Sequence, residues 1–288
     1  MPESSLTLEP QVPRVSAILL AYNQAAQVRR AVQALDQSRD RDRLEILVVD
    51  CGSRDGTAQV DVDFRNVNML RLPHHIGAAR AWNIATRTSK ADLLFFVSPD
   101  VEVLPDTPTA LANALQQEPD SVAVCPLLTD PSGQPTPRAY RLPDPAGITP
   151  DAPKPVACDV ASSSAIEYPS FDALMVRKQF VQAMNYFDER YGHYWVDAEF
   201  AMQVRRIGKK IRLHPEIRAV YHAAPDPLEG DSLAEADRVA GAAAYAGKYG
   251  GSGIGLRMGA AMKALGRFDL GLVGSLIGGS KLDGSQAG

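Results

Sequence analysis

Cysteine is scarce in this chain. Three occur among 288 residues, Cys51, Cys125 and Cys158, an odd number, far apart and without CxxC spacing. That pattern argues against a disulfide framework or a zinc site and fits a reducing compartment. Long apolar runs are missing as well, since no stretch approaches the ~20 residues that a bilayer-spanning helix needs. The polar segment Met1 to Pro13 has no basic region followed by an apolar core, so it does not read as a signal peptide. The expectation is a cytoplasmic protein, with contact at the inner face of the plasma membrane left open. A basic excess is also absent. The net charge is -4 and the pI ≈ 5.8, which argues against broad nucleic-acid binding. Finally, Ala21-Tyr22-Asn23-Gln24-Ala25, after the first apolar run, holds neither glycine nor a basic residue. A dinucleotide-dependent oxidoreductase would show GxGxxG there, and a nucleotidyltransferase would show a glycine-rich basic loop.

What is present alternates between two periods. Val15 to Ala21, Leu44 to Val49, Asn68 to Leu72, Leu93 to Val97 and Ser121 to Leu128 are short apolar runs that read as strands. Between them lie helical patterns. Val28, Ala31, Val32 and Leu35 fall at i, i+3, i+4, i+7; Gly77 to Ser89 follows; Thr107 to Gln117 carries Pro108 in its first turn. Such alternation predicts an α/β fold, a doubly wound, mostly parallel sheet with helices on both faces. Ligands bind such sheets beyond the carboxyl ends of the strands. Tyr22, Asn23, Asp50, Asp100 and Glu102 all lie at those ends.

Residues 129–165 are proline-rich and read as a long loop over a site. Asp197 to Ile207 predicts a helix with Phe200, Val204 and Ile207 on one face and Gly208 at its stop. Two short strands, Lys210 to Leu213 and Ala219 to Tyr221, follow. The division expected is one domain over 13–225 and a helical C-terminal extension over 226–288, with a helix near Ala234 to Lys248. Ile254 to Leu276, with Arg257, Lys263 and Arg267, reads as an amphipathic helix packed on the domain or against a second copy. The alternative is that it lies on an anionic membrane. Gly278 to Lys281 reads as a flexible end.

Several residues suggest chemistry, each beside a plainer reading. Asp100 and Glu102, at i and i+2 in an extended segment, point the same way. They can hold Mg²⁺ or Mn²⁺ across a diphosphate, or be a solvated acidic loop. Asp50 can accept hydrogen bonds from a ribose or base, but as the opening of the Gly52–Gly56 turn it is explained without a ligand. Gly77 and Arg80 begin a helix, where anions bind. The same helix start can simply pack close to the sheet through its alanines. Asp197 is a natural helix N-cap or a general base kept ionised by the helix N-terminus. His222, after a short strand, is a third metal ligand or a structural histidine.

Taken together, these residues resemble the family-2 glycosyltransferases of the GT-A fold. The resemblance runs from Val15 to His222 and is carried by an ordered series of short motifs: Ala21-Tyr22-Asn23, Val48-Val49-Asp50, Asp55-Gly56-Thr57, Gly77-x-Ala79-x-x-x-Asn83, Pro99-Asp100-Val101-Glu102, Phe187-Asp188-Glu189-Arg190-Tyr191, Val196-Asp197-Ala198-Glu199-Phe200 through Arg206-Ile207-Gly208, and Val220-Tyr221-His222. The Pro99–Pro105 version looks most like rhamnosyltransferase members. The resemblance implies a UDP-, dTDP- or GDP-linked sugar donor contacted by Ala21, Tyr22, Asn23, Asp50, Gly77, Arg80, Asn83 and Asp100. It implies Mn²⁺ or Mg²⁺ at Asp100, Glu102 and His222, and Asp197 as the base of an inverting transfer to a saccharide or lipid-linked acceptor. Asp172 and Trp195 would face that acceptor. Three positions depart from the pattern: Val196 replaces a glutamate, Cys51-Gly52 a serine-rich pair, and Phe171-Asp172-Ala173 a small glycine-led segment. Val196 keeps a second reading open, a non-catalytic sugar-nucleotide-binding protein.

Overall fold

The computed structural model describes residues 14–136, 138–150, 155–156 and 161–282. Met1 to Pro13, Pro137, Pro153 and Cys158, on which parts of the sequence reading rest, lie outside them.

The chain begins β1 (Val15–Ala21), α1 (Ala25–Asp36), β2 (Leu44–Asp50), α2 (Val60–Asp63), β3 (Val67–Arg71), α3 (Ala78–Thr88) and β4 (Leu93–Val97). It continues β5 (Val101–Val103), α4 (Thr107–Gln117), β6 (Ser121–Thr129), β7 (Ala139–Tyr140), β8 (Ser164–Ile166), β9 (Tyr168–Pro169) and β10 (Ala173–Arg177). The last part is α5 (Lys178–Ala183), α6 (Val196–Arg206), β11 (Lys210–Tyr221), α7 (Ser232–Tyr249), α8 (Gly253–Gly266) and α9 (Leu270–Gly278).

The main sheet runs β3-β2-β1-β4-β10-β6-β11-β5, with β8 also on β11. β1 pairs in parallel with β2 and β4, and β2 with β3. β10, which the sequence pattern did not single out, enters antiparallel between β4 and β6. Successive side chains of a strand point to opposite faces, and the core divides accordingly. Ala17, Leu19, Ile46, Val48, Phe95 and Val97 face α1 and α4. Ile18, Leu47, Val49, Leu94 and Phe96 face α3 and α6. The four α1 residues expected on its apolar face are all buried.

Local differences have local causes. The two short strands expected around Pro215 are one strand, β11, whose register on β6 shifts between His214 and Arg218. Pro215 has no N–H to give a ladder, so the strand bulges rather than ends. Ile207 follows α6 instead of completing its apolar face and is exposed. Ile254 to Leu276 forms two helices, and α8 and α9 bury Ala261, Ala264, Leu272 and Leu276 against Ala236 and Val239 of α7. The Gly278–Lys281 end is pinned. Lys281 Nζ donates to the Glu189 carbonyl, and the Leu282 N–H to Asp237 Oδ1 at 3.0 Å. Cys51 and Cys125 are buried.

Glu199 ties α6 to α7. Its side chain is buried and accepts from Tyr191 Oη (3.0 Å), Tyr249 Oη (2.9 Å), Gln203 Nε2 (2.8 Å) and Lys248 Nζ (2.5 Å). Removing one partner of a buried charged network leaves the rest unsatisfied. Glu199→Ala is therefore expected to lower stability by about 3–5 kcal/mol, measured as a drop in denaturant midpoint at unchanged m-value.

Candidate functional site

The carboxyl ends of β1 and β4 open into a cleft of ≈ 690 Å³. Ala21, Tyr22 and Ser98-Pro99-Asp100 form one wall, and the proline-rich segment contributes Arg138, Tyr140 and Pro150. Asp172 arrives ahead of β10, Trp195 and Asp197 from the start of α6, and Asp226, Leu228 and Arg238 from beyond β11. The floor is aromatic. Trp82 stacks on Phe171 with ring centroids 4.6 Å apart, and Phe96, Phe187 and Phe200 pack around Phe171. The ring at Phe171 is thus folded into the core cluster, leaving Asp172 as the charge that faces the cleft.

Of the four carboxylates that line this space, Asp100, Asp172, Asp197 and Asp226, the first three differ in what surrounds them. Asp172 is neutralised: Arg138 Nε lies 2.6 Å away and Ser170 Oγ donates to it at 2.5 Å. Asp100 is not. Its Oδ1 is buried with no hydrogen-bond partner among the described residues. Burial, and after it the Asp172 charge, push its pKa up to about 6. Asp197 sits in the first turn of α6, not ahead of it, because Trp195 is the N-cap, in the left-handed region at φ 72°. A close approach accompanies that turn: a Cβ on Gly241 would lie 2.8 Å from Trp195 Cδ1. Asp197 Oδ1 accepts from the Ala198 N–H at 2.8 Å, and the carboxylate also accepts from Tyr168. The helix N-terminus was expected to hold Asp197 low. Burial outweighs it, and the pKa is raised.

Other expected residues serve neighbouring structure. Asn23, at φ 51°, accepts from the Arg54 N–H (2.8 Å), while its own N–H donates to Ser53 Oγ (2.8 Å). Asp50, buried at the end of β2, accepts from the Ser53 N–H. Arg80 pairs with Glu189 at 3.3 Å, and buried Asn83 clasps the Phe187 backbone through both of its side-chain ends. Gly77 is at φ 82°, where a Cβ would strike the Leu282 and Gly192 backbones. None of these five lines the cleft. Glu102 and His222 bond to each other at 2.8 Å, and the His222 N–H donates to the Asp100 carbonyl. Among the described residues no three His, Cys, Asp or Glu side chains converge as a metal cluster. The unpartnered Asp100 carboxylate nevertheless suits a cation held by one protein ligand and by diphosphate oxygens, as Mg²⁺ often is.

The residues not read from sequence are Arg138, Tyr140, Tyr168, Ser170, Arg238 and the pair His75 and His193. Burial lowers both histidines, to about 3 and about 4, so they are neutral at pH 7.

With this geometry in view, the comparisons decide the family. The glycosyl transferase family 2 model matches residues 16–171. The chain belongs to that family. Among curated proteins it is similar to the N-acetylglucosaminyl-diphospho-decaprenol L-rhamnosyltransferase of Mycobacterium tuberculosis, 25% identical over 232 residues, 72% of this chain and 75% of the relative. Glycosyltransferase AglE of Haloferax volcanii is 31% identical over 94 residues, 31% of each chain. Among solved structures, GalNAc-T7 with UDP, GalNAc and Mn²⁺ superposes with a TM-score of 0.60 at 14% identity. That match covers 74% of this chain, which spans less than half (44%) of the GalNAc-T7 chain. Staphylococcus aureus TarS 1-349 with UDP gives 0.55 at 17% identity, covering 82% of this family-2 chain and 70% of TarS. These likenesses establish the GT-A fold.

Asp100 gives a direct test. An acid with a raised folded pKa favours the folded state below its unfolded pKa and loses that advantage as pH rises to the folded value. In metal-free protein, Asp100→Asn should therefore melt higher than wild type above about pH 6. The gain should be roughly 1 kcal/mol, allowing for solvent in the cleft. It should vanish below about pH 4, near the ordinary Asp pKa, and thermal unfolding across this range measures it.

Proposed function

We propose that this family-2 chain transfers a sugar, with inversion, from a nucleoside-diphosphate sugar to an acceptor hydroxyl in cell-surface polysaccharide synthesis. The observation that carries the reading is the pairing in one cleft of two unlike carboxylates, Asp100 unpartnered and Asp197 held by Tyr168. The rhamnosyltransferase relative supports a 6-deoxyhexosyl or hexosyl donor and a saccharide carried on a lipid diphosphate.

The nucleotide lies along the end of β1 against Ala21 and Tyr22, within reach of the Asp50 turn. Asn23 acts on it through Ser53 and Arg54. Asp100 would hold a divalent cation, Mn²⁺ or Mg²⁺, which would supply positive charge against the leaving diphosphate, with Glu102 and His222 fixing the backbone behind it. The acceptor hydroxyl attacks the anomeric carbon from the side of Asp197. Its proton passes to the Asp197 carboxylate as the bond from that carbon to the diphosphate oxygen breaks, and the electron pair leaves with the nucleoside diphosphate. Burial serves the base here, because a carboxylate of raised pKa takes a proton better than an exposed one. Tyr168 holds its orientation. Arg138 holds the Asp172 carboxylate in place through their ion pair, so that Asp172 and the Trp195 ring can position the acceptor.

A second reading, a non-catalytic sugar-nucleotide-binding protein, draws on Val196, which is buried beside the expected base. Asp197→Asn separates the two. As a transferase the variant should lose about 10²–10⁴-fold in kcat while keeping its nucleotide affinity; unchanged turnover removes Asp197 from the mechanism. Thermal shifts with UDP, dTDP and GDP, each with and without Mn²⁺ or Mg²⁺, should show stabilisation by one nucleotide. That shift should depend on metal and disappear in Asp100→Ala. No shift with any nucleotide would remove the donor assignment.

A further inference from the structure

Ten large hydrophobic side chains are exposed among the described residues, and seven of them lie between Ile254 and Ile277. On α8, Ile254, Met258, Met262 and Leu265 share one face, interleaved with Gly255, Gly259 and Gly266. Ile254 is 80% exposed, Met262 71%, and Phe268, at the tip between α8 and α9, 89%. The adjoining side of α8 is the one packed on α7, through Ala261 and Ala264. Packing on the domain therefore accounts for one side of this helix and leaves the more apolar side in water. Exposed apolar surface of this kind marks an interaction site.

Its charge says what covers it. At 100° per residue, Arg257 lies about 60° outside the Ile254 edge of the apolar face, and Lys263 about 100° beyond its Met262 edge, across the glycines. Lys263 makes no ion pair among the described residues; Arg267 pairs with Glu235. From Gly253 to Leu282 there are four basic residues and one acid, in a chain whose net charge is -4. The single acid, Asp269, caps α9 by accepting the Leu272 N–H. An apolar strip on a helix that carries cations and no acid complements the headgroup and acyl layers of an anionic bilayer. A second copy of the chain fits less well, since a two-fold contact across this face sets the cations of one α8 near those of the other. No helix among the described residues is long and apolar enough to cross a membrane, so the contact is peripheral.

A second cavity, ≈ 930 Å³, connects this hairpin to the cleft. Leu256, Lys263 and Arg267 line it, and it shares Pro150, Asp226, Leu228 and Arg238 with the cleft. We propose that the α8–α9 hairpin docks the chain on an anionic membrane surface, apolar face inward, with the basic residues of α8 flanking that face. The second cavity is then the route by which a membrane-held acceptor reaches Asp197. That routing rests on the acceptor reading above, whereas the docking does not.

The test is cosedimentation of the full chain with phosphatidylglycerol-containing vesicles and with pure phosphatidylcholine vesicles, without donor or acceptor. The chain should bind the anionic vesicles at low salt and be released by high salt, as screening requires. Met262→Glu with Phe268→Glu should lower binding roughly tenfold or more while melting at the wild-type temperature, since both side chains are exposed. Lys263→Glu should weaken binding to anionic vesicles alone. Absence of anionic binding, or equal binding by the double variant, overturns the proposal. So does a lipid-free dimer in sedimentation velocity that the double variant dissociates, which assigns the face to a second copy. None of these outcomes alters the transferase reading, which the Asp197→Asn turnover decides separately.

Discussion

The cleft depends on one backbone hydrogen bond, from the Ser98 N–H to the Asp172 carbonyl at 2.8 Å. It extends the antiparallel pairing of β10 with β4 by one step beyond Val97 and Ala173. Because β10 runs against β4, its first residue arrives where β4 ends. Two acids far apart in sequence, Asp100 and Asp172, are thereby held at one strand end. Two like charges in a half-dry space are unfavourable, and the structure resolves this unevenly. Arg138 neutralises Asp172, and Asp100 is left without a partner. A strictly parallel sheet would send the start of β10 to the opposite edge, and the pair would not exist.

The same asymmetry explains what the second half of the fold contributes. Arg138 comes from the proline-rich segment and stacks over the Tyr221 ring, 4.7 Å from its centroid. Tyr168 reaches Asp197 from the short ribbon of β7 and β9. On the far side, Asp237 of α7 is wholly buried and accepts the N–H groups of His193 and Tyr194 at 2.8 and 3.1 Å. It thereby sets the turn that leads into Trp195 and Asp197. Helices beyond β11 thus hold the Trp195–Asp197 segment in place, although they carry none of the family motifs.

The alternating half was legible in the sequence because its signals are local. Buried runs such as Leu44 to Val49 and the i, i+3, i+4, i+7 set in α1 report the period of the element that contains them. The carboxylates could be found for the same reason, since each ends a strand or begins a helix. What could not be read depends on pairing at long range. β10 is a short apolar segment whose direction is set by β4 and β6, and nothing inside Ala173 to Arg177 states that direction. Arg138, Tyr140 and Tyr168 sit among prolines with no periodicity. Arg80, read from its place at a helix start, meets Glu189, and Asn83, read from its motif, holds groups of Phe187, partners more than a hundred residues away in sequence.

The chain contains only two tryptophans, and both line the cleft. Trp82 lies in its floor against Phe171, while Trp195 stands at the left-handed turn beside Asp197. The intrinsic fluorescence of the chain therefore comes almost wholly from the two sides of the space where donor and acceptor would meet. Occupancy of that space carries its own optical signal, readable in the unlabelled protein and in real time.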